Sequence, residues 1–387
     1  MKFNLLHRNS RKASEATLPQ TDGTAPDKIR LPLAVKIIYA VSAACAVLYL
    51  IFLLSEPFSD FFNRHVSSLL RAFLANVSNP IPFSLAEFAV ILLPVWVVAL
   101  TLAIVRRFGD STKELISAIL CICSLLGVVF SAFTLGFAPA YRGSTLDEKL
   151  GIERSEVSSQ ELYDTAMILN SLIAESAQQV HFASDGSSVM PYSREQMNDK
   201  LNQAYMSLSD EYEFLPRLNS RIKPVMLSDA MSYTHITGIY TFLTGEANLN
   251  VAFPDYTLPF TAAHELAHQR GVARENEANF MAFLACSSSD DPYIRYCAYI
   301  NLQEYVLSAL GTADEKMYTL AFYAMPIEAK REMAAYSEFY EKYRDSAVGE
   351  VSGAVNDTFL KLHGTEGTKS YGMVVDLAVS YFKSNNK

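Results

Sequence analysis

Two histidines and a glutamate in the segment TAAHELAHQRGVARENEANF, residues 261–280, have the spacing of a metal-binding motif. His264 and His268 are four residues apart, so on a helix both imidazoles lie on one face, one turn from each other. Glu265 lies about 100° further round that helix, where its carboxylate can meet a water bound to the same ion. Hydrolytic zinc sites use this combination of two imidazoles and a carboxylate base.

A third ligand is expected from the residues that follow Gly271. The segment LPFTAAHELAHQR fits a helix that ends at this glycine, where a left-handed residue commonly stops a helix. If the chain reverses there into a second helix, positions equidistant from the turn face one another. Glu275 then lies opposite His268, and Asn279 lies opposite His264.

We therefore predict Glu275 as the third metal ligand and Asn279 as the group that orients a histidine. Glu277 points to another face of the second helix and is the reserve ligand. The alternative is that Glu275 and Glu277 only cap and solvate a helix start, where the helix dipole favours carboxylates. Imidazole and carboxylate ligands predict Zn²⁺ as the cofactor, although other divalent ions accept them. An oxyanion stabiliser is also expected near the metal, and the candidates are Tyr371, His235 and Arg270.

HELAH followed by ENEAN resembles the zincin metallopeptidases of the gluzincin type, in which a downstream helix supplies a glutamate in an ExxxD or ExxAD arrangement. ExxAN stands in that place here, so Asn279 keeps an acceptor for a histidine N–H but lacks the charge of an aspartate. The interval between the two motifs is also shorter than in gluzincins. It is closer to that of metzincins, whose third histidine would fall at Arg274, a residue that cannot bind zinc. The resemblance implies that a sheet edge aligns an extended substrate, and GIYTFLTGEANLNVAF is the candidate strand pair for this role. The alternative is an ordinary strand pair that only covers the active helix.

Three apolar segments without any charge are long enough to cross a bilayer: Ile37–Leu54, Phe88–Val105 and Leu115–Ala140. Basic residues precede the first segment and follow the second, which predicts that both ends are cytoplasmic. These residues are Lys2, Arg8, Arg11, Lys12, Lys28, Arg30 and Lys36, and then Arg106, Arg107 and Lys113. Three crossings place everything after about Tyr141 outside. We therefore expect a multi-pass protein of the cell membrane with a cytoplasmic N-terminus and an extracytoplasmic C-terminal domain.

The expected fold class is α+β and mostly helical. Residues 1–30 are predicted to be a disordered cytoplasmic tail, 31–142 a membrane domain with three transmembrane helices, and 143–387 an extracytoplasmic zincin-like domain with a small sheet and an HExxH helix. Between the first two spans, FSDFFNRHVSSLLRAFL is predicted to lie at the membrane interface as an amphipathic helix. Two helices should follow Ser155, and two or three strands should lie in residues 223–254. Cys286 and Cys297 fall in the outer domain, where an oxidising exterior permits pairing, and their spacing does not decide it.

The whole chain resembles a family of bacterial membrane proteins catalogued as domain of unknown function 3810. The resemblance covers the three spans, IPFSLAEF, FAPAYRG, GEANLN, HELAHQRG with ENEANF, and SYG near the end. It implies a zincin-like membrane protein without an established substrate. It also implies that Gly245, Glu246 and Asn248 of the GEAN segment lie near the cleft.

A net charge of −9 and a pI near 5.4 argue against nucleic acid as a partner. We therefore expect a membrane-anchored zinc metallopeptidase that hydrolyses peptide bonds of extracytoplasmic peptides or envelope proteins, with the lipid bilayer as its other partner. Its oligomeric state is left open. The alternative is a non-catalytic zincin-fold binding or sensory membrane protein, against which the intact base Glu265 argues. An intramembrane protease would need HExxH inside a span, and the apolar run around residues 258–270 is too short.

Overall fold

The computed structural model describes residues 29, 31–108, 112–154, 156–363, 365 and 374–385. The predicted disordered tail, residues 1–30, lies outside this part of the chain except for Ile29. The described residues are mostly helical and contain one three-stranded sheet, which confirms the predicted fold class.

The helices and strands follow one another in this order along the chain. The helices are α1 Leu33–Leu54, α2 Glu56–Phe62, α3 Ser68–Ser78, α4 Leu85–Phe108, α5 Thr112–Gly136, α6 Leu146–Leu150, α7 Ser159–Ala177, α8 Arg194–Glu211, α9 Ser228–Ser232, α10 Leu258–Gln269, α11 Glu275–Ser287, α12 Pro292–Ala313, α13 Glu315–Ala324, α14 Ile327–Glu341, α15 Ala347–Leu362 and α16 Val374–Asn385. The strands are β1 Ile222–Pro224, β2 Gly238–Thr241 and β3 Glu246–Leu249. A π-helical turn, Asn63–Ser67, joins α2 to α3, and 3₁₀ turns lie at Ala138–Tyr141 and Asp255–Thr257.

Helices α1, α4 and α5 are long and apolar enough to cross a membrane. Their side chains are mostly exposed, since only 11%, 0% and 17% of the most apolar window of each helix is buried. The third helix ends at Gly136 and not at Ala140 as predicted, because Pro139 lies in a 3₁₀ turn after it. A proline has no N–H for the α-helical ladder, so the chain tightens there.

The segment between α1 and α4 has the amphipathic pattern that the sequence predicts, although it forms three pieces and not one helix. On α3, Leu69, Phe73 and Val77 are exposed along one face, while Arg71 and Ala75 are buried on the other. The buried face packs against the rest of the protein, and the apolar face lies outward.

The sheet has the order β1-β3-β2, with β1 parallel and β2 antiparallel to the central strand β3. Three strands form within the region in which two or three were predicted. All four residues of β3 are buried, and its neighbour on the core side is α10. Ala262, Ala263 and Ala267 of α10 are fully buried, and their small side chains let the sheet and α11 approach this helix closely.

Two buried charged side chains join the sheet to the start of α4 and the end of α3. The Glu246 carboxylate of β3 accepts hydrogen bonds from the amides of Leu85 and Ala86 at the start of α4, both at 3.1 Å. This contact caps the helix and compensates its dipole. Lys223 of β1 donates to the Ser78 carbonyl at the end of α3, at 2.8 Å. These contacts cross the predicted domain boundary at residue 142.

A buried arginine clamps three distant segments together. Arg71 on α3 donates to the Gly136 carbonyl at the end of α5, at 2.8 Å, and to the Asn63 side chain, at 2.9 Å. Asn63 in turn donates to the Gly271 carbonyl at 3.1 Å. Burial lowers the pKa of Arg71 to about 10, which still leaves the guanidinium charged at neutral pH. The Arg71 guanidinium therefore needs these partners, because a buried charge without hydrogen bonds is costly.

Cys286 and Cys297 are both buried, and both are free thiols. The pairing that their spacing left open is not formed in this structure. The Cys286 thiol lies 3.7 Å from the Pro259 carbonyl, and burial raises its pKa. Both side chains therefore act as small apolar core residues.

Replacing Arg71 by alanine should strongly destabilise the protein. The change leaves the Gly136 carbonyl and the Asn63 side-chain oxygen without their donor, and each buried acceptor left unpaired costs about 1–3 kcal/mol. The control is Arg64→Ala, since Arg64 pairs with Glu213 on the surface and their side chains are 46% and 84% exposed. That change should cost at most about 1 kcal/mol. Thermal unfolding of both full-length variants in detergent, followed by circular dichroism, measures the difference, and equal midpoints would contradict the clamp.

Candidate metal centre

Helix α10 carries both histidines of the HExxH motif on one face. The rings of His264 and His268 have centroids 4.6 Å apart and lie nearly perpendicular, at 89°. His268 is buried, and the His264 side chain is 12% exposed. The four-residue spacing on a helix therefore brings two imidazoles to one point, as the sequence predicts.

A tight turn after α10 brings the chain back over this face. Gly271 has a φ of +93°, a conformation that a residue with a side chain rarely adopts. A Cβ at this position would also overlap the Arg71 guanidinium. Past this turn the amide of Val272 donates to the Ala267 carbonyl, at 3.1 Å. The turn is thus fixed by backbone geometry and by the clamp behind it.

The same turn sets the orientation of one imidazole. His268 Nδ1 lies 2.7 Å from the Val272 carbonyl, which accepts a hydrogen bond from the ring N–H. The other nitrogen, Nε2, then faces the site and is the one that can bind a metal ion once it has lost its proton. A histidine held in this way is ready to bind a metal ion.

Glu275, the first residue of α11, completes a group of three donors. Its Oε2 atom lies 3.2 Å from His264 Nε2 and 3.6 Å from His268 Nε2. The three ligand atoms all lie within 4.8 Å of one another. Zinc ligands bound at roughly 2.0–2.1 Å in a tetrahedron are about 3.3 Å apart, so two of these separations match a zinc site closely. The group is a candidate metal-binding triad whose donors fit zinc.

The electrostatics of the triad resemble those of a cation site. Although burial favours the neutral ring, the Glu275 carboxylate raises the pKa of His268 to about 9. Burial favours the neutral form of Glu275 as well, but His268 and His264 hold its pKa well below the usual range. A buried carboxylate therefore keeps its negative charge beside two imidazoles, where a dication would replace the proton.

Glu265 lies beside the triad and directly beneath β2. Its carboxylate is buried, and burial raises its pKa despite the nearby histidines. A Cβ on Gly238 would meet Glu265 Oε1 at 2.6 Å, so only glycine lets the strand lie this close. The Tyr240 amide of the same strand faces the carboxylate. One oxygen, Oε2, has no hydrogen-bond partner among the described residues, and a carboxylate in that state is ready to accept a proton.

The structure separates the reserve ligand from the site. Glu277 accepts a hydrogen bond from Arg274 at 2.9 Å and from the Leu146 amide at 3.0 Å, so its carboxylate serves the contact with the start of α6. Arg274 also donates to the Tyr141 carbonyl at 3.1 Å, which ties the start of α11 to the 3₁₀ turn after α5.

The predicted role of Asn279 has no supporting contact. In the described part of the chain, no hydrogen bond joins its amide to His264 or His268, and its Nδ2 is buried without a partner. His264 Nδ1 is also buried without a partner. The Asn279 amide lies instead beside the hydroxyl of Tyr305 on α12, a tyrosine whose pKa is raised by burial.

The candidates for oxyanion stabilisation lie in three different places. Tyr371 is outside the described residues, so its role stays a prediction. The His235 ring lies 2.7 Å from the Tyr343 carbonyl and 3.1 Å from the Tyr340 hydroxyl, and both its nitrogens are engaged there. Arg270 is buried against the Tyr205 ring, 4.3 Å from its centroid, and its guanidinium does not contact the triad.

The GEAN segment is close to the site but does not line it. Gly245 has a φ of +70°, lies against α3, and accepts from Gln269 at 2.7 Å. Glu246 caps α4, and the Asn248 side chain donates to the Ile239 carbonyl at 3.0 Å. These contacts hold the sheet against α3 and α4.

Three residues near the triad were not predicted as part of the site. The Phe137 ring, one residue beyond α5, lies 6.1 Å from the His268 ring. Tyr141 is buried close enough to Glu275 for the carboxylate to add to the effect of burial in raising its pKa. Gly238 is the third, and an isolated glycine in a strand is the one sequence signal that could have found it.

Two of the triad side chains, His264 and Glu275, are each only 12% exposed. A cavity of about 280 Å³ lies nearby, but it is lined by Gly271, Val272 and Glu277 and so opens behind the turn. None of the three triad residues lines this cavity.

Comparison with known proteins gives one match. Residues 62–379 match the family model described as "Protein of unknown function (DUF3810)". No curated protein and no solved structure matches the chain.

Replacing Glu275 by glutamine should lower zinc binding sharply, because the amide brings no negative charge to the two imidazoles. The matched control is Glu277→Gln, two residues away on the same helix, whose carboxylate lies in the contact with Arg274. The full-length variants should be compared by elemental analysis after equilibration with a limiting amount of free zinc. The geometry predicts near-complete loss for the first and about one zinc per chain for the second. The opposite pattern would identify Glu277 as the ligand.

Zinc affinity should increase with pH up to about 9. His268 binds metal only as the neutral ring, and its pKa of about 9 means that zinc must displace a proton at neutral pH. Between about pH 7 and 9, the affinity should rise about tenfold per pH unit and then level off. Competition with a chromogenic chelator, itself calibrated at each pH, measures this slope. A flat profile over that range would contradict the raised pKa, since it would show that the His268 ring is already neutral at pH 7.

Proposed function

Because the chain belongs to the DUF3810 family, whose function is unknown, we propose its function from the site itself: a membrane-anchored zinc metallopeptidase. It hydrolyses peptide bonds of extracytoplasmic peptides or envelope proteins. The observation that carries this proposal is the convergence of His264, His268 and Glu275 beside a buried Glu265. Such a group resembles the HExxH and glutamate site of zincins.

The residues of the triad and of α10 divide the chemical work between them. His264, His268 and Glu275 would hold the zinc ion, which supplies Lewis-acid chemistry and lowers the pKa of water. Glu265 takes a proton from the attacking water and delivers it to the leaving amine. Burial raises the pKa of Glu265, so this carboxylate accepts a proton more readily than an exposed glutamate does.

The edge strand β2 gives a surface on which to align a peptide. In the order β1-β3-β2, one side of β2 pairs with β3 and the other is free of strand pairing among the described residues. Gly238 and Tyr240 of this strand lie against Glu265. An extended peptide that added to this edge would place a backbone carbonyl next to the general base.

In this proposal α1, α4 and α5 cross the cell membrane. The N-terminus is cytoplasmic and the C-terminal domain is extracytoplasmic, following the distribution of lysine and arginine. The contacts of Glu246 and Lys223 with α4 and α3 support a catalytic domain seated directly on the membrane domain. Substrates are then peptides or proteins that reach the outer side of the bilayer.

Replacing Glu265 by glutamine tests the function most sharply. The variant should keep bound zinc, because Glu265 is not in the triad, while peptide hydrolysis falls by about 10²–10⁴-fold for lack of a general base. Purified full-length wild type, Glu265→Gln and His264→Ala should be incubated with a peptide library and analysed by mass spectrometry, with zinc measured in each. His264→Ala should lose zinc as well as activity.

Two outcomes would contradict the proposal. Equal cleavage by wild type and the glutamine variant would mean that Glu265 is not the base. A zinc-loaded wild type without any cleavage would favour the alternative, a non-catalytic zincin-fold binding or sensory membrane protein.

A further inference from the structure

Helix α15 carries an apolar stripe that no other part of the described chain covers. Its inner face contains Gly349 and Leu360, which are buried, and its charged flank contains Glu350. A third face is apolar and outward. It consists of Val348, Val351, Val355 and Leu362, which are 57%, 65%, 64% and 71% exposed, with Phe359 at its border. The spacing of three, four and seven residues puts these side chains along one line of the helix.

The C-terminal end of α15 packs on the last turn of α5. The Phe359 ring lies 6.0 Å from the Phe133 ring, and the His363 ring lies 4.8 Å from it. Phe133 is three residues before the end of α5 at Gly136, a rise of about 5 Å along the helix axis. This end of α15 therefore lies level with the end of an apolar helix long enough to cross a membrane.

A second amphipathic helix meets α5 at the same level. Ser67, next to α3, donates to the Leu135 carbonyl at 2.5 Å, and Arg71 of α3 donates to the Gly136 carbonyl. The outward residues of α3 are again apolar, namely Leu69, Phe73 and Val77, which are 70%, 63% and 56% exposed. Two apolar stripes thus start beside the last four residues of α5.

We propose that the α15 stripe is a membrane-docking surface that lies in the outer leaflet, at the boundary between headgroups and acyl chains. Burying four aliphatic side chains there is favourable by the hydrophobic effect, and the charged flank at Glu350 stays in water. The proposal rests on α1, α4 and α5 spanning the membrane, and it does not depend on peptidase activity. It also places the triad at the membrane surface, because Phe137 of the same α5 end contacts the His268 ring.

The single tryptophan of the chain, Trp96 on α4, allows a direct test. In a Trp96→Phe background, Val351→Trp places a probe on the stripe and Glu350→Trp places a matched probe on the charged flank. The full-length proteins are reconstituted in phosphatidylcholine vesicles with or without brominated acyl chains. Trp96 in the unmodified protein serves as the reference for the bilayer interior. Val355→Trp is a second stripe probe in case the first variant does not fold.

The proposal predicts that brominated lipid lowers the emission of the stripe probe about twofold or more and leaves the flank probe nearly unchanged. Equal, weak quenching at both positions would overturn it. Blue-shifted emission of the stripe probe without bromolipid quenching would also overturn it, since the stripe would then be covered by protein, such as a second copy of the chain.

Discussion

The reversal of the chain at Gly271 is the constraint on which the candidate site depends. It sets how far Glu275 lies beyond the histidines and on which side of α11 its carboxylate projects. One added residue would turn Glu275 by about 100° around its helix, away from both imidazoles. The reversal also supplies the Val272 carbonyl that orients His268. Ligand identity and ligand orientation therefore come from the same five-residue connection between α10 and α11.

Two residues connect this turn to the rest of the protein. Asn63 donates to the Gly271 carbonyl, and Arg71 donates both to Asn63 and to the Gly136 carbonyl at the end of α5. The clamp joins residues that are far apart in sequence: the linker between the first two apolar helices, the end of the third, and the hairpin. A second contact, between Phe137 and the His268 ring, links the same parts on the front. The triad therefore lies at the junction between the apolar helices and the sheet. A movement of α5 would change the contact between Phe137 and the His268 ring.

Local signals made much of this site predictable. The HExxH spacing, the glycine after it and the two glutamates beyond predicted a helical hairpin with Glu275 facing the histidines, and the hairpin is present. Facing positions gave Glu275 to His268 alone, whereas its Oε2 approaches both rings and is nearer to His264. The distances between side chains across a turn depend on the direction of each side chain. Counting residues from the turn does not give these directions.

Other features could not be read from the sequence because they depend on tertiary contacts. Arg71 looked like one charge on an amphipathic helix, and only the fold shows that it is buried on Gly136 and Asn63. Glu277 carries a carboxylate that could bind a metal ion, but it pairs with Arg274. The contacts by which Glu246 caps α4 could not be predicted either, because apolar runs indicate only the length of a lipid-facing helix. The domain boundary at residue 142 stays a prediction. Spectroscopy at the metal addresses the central claim most directly. Zinc X-ray absorption of the loaded full-length protein should show four nitrogen or oxygen ligands at about 2.0–2.1 Å, two of them imidazoles. A spectrum with sulfur ligands, or with no imidazole scattering, would contradict a centre built from His264, His268 and Glu275.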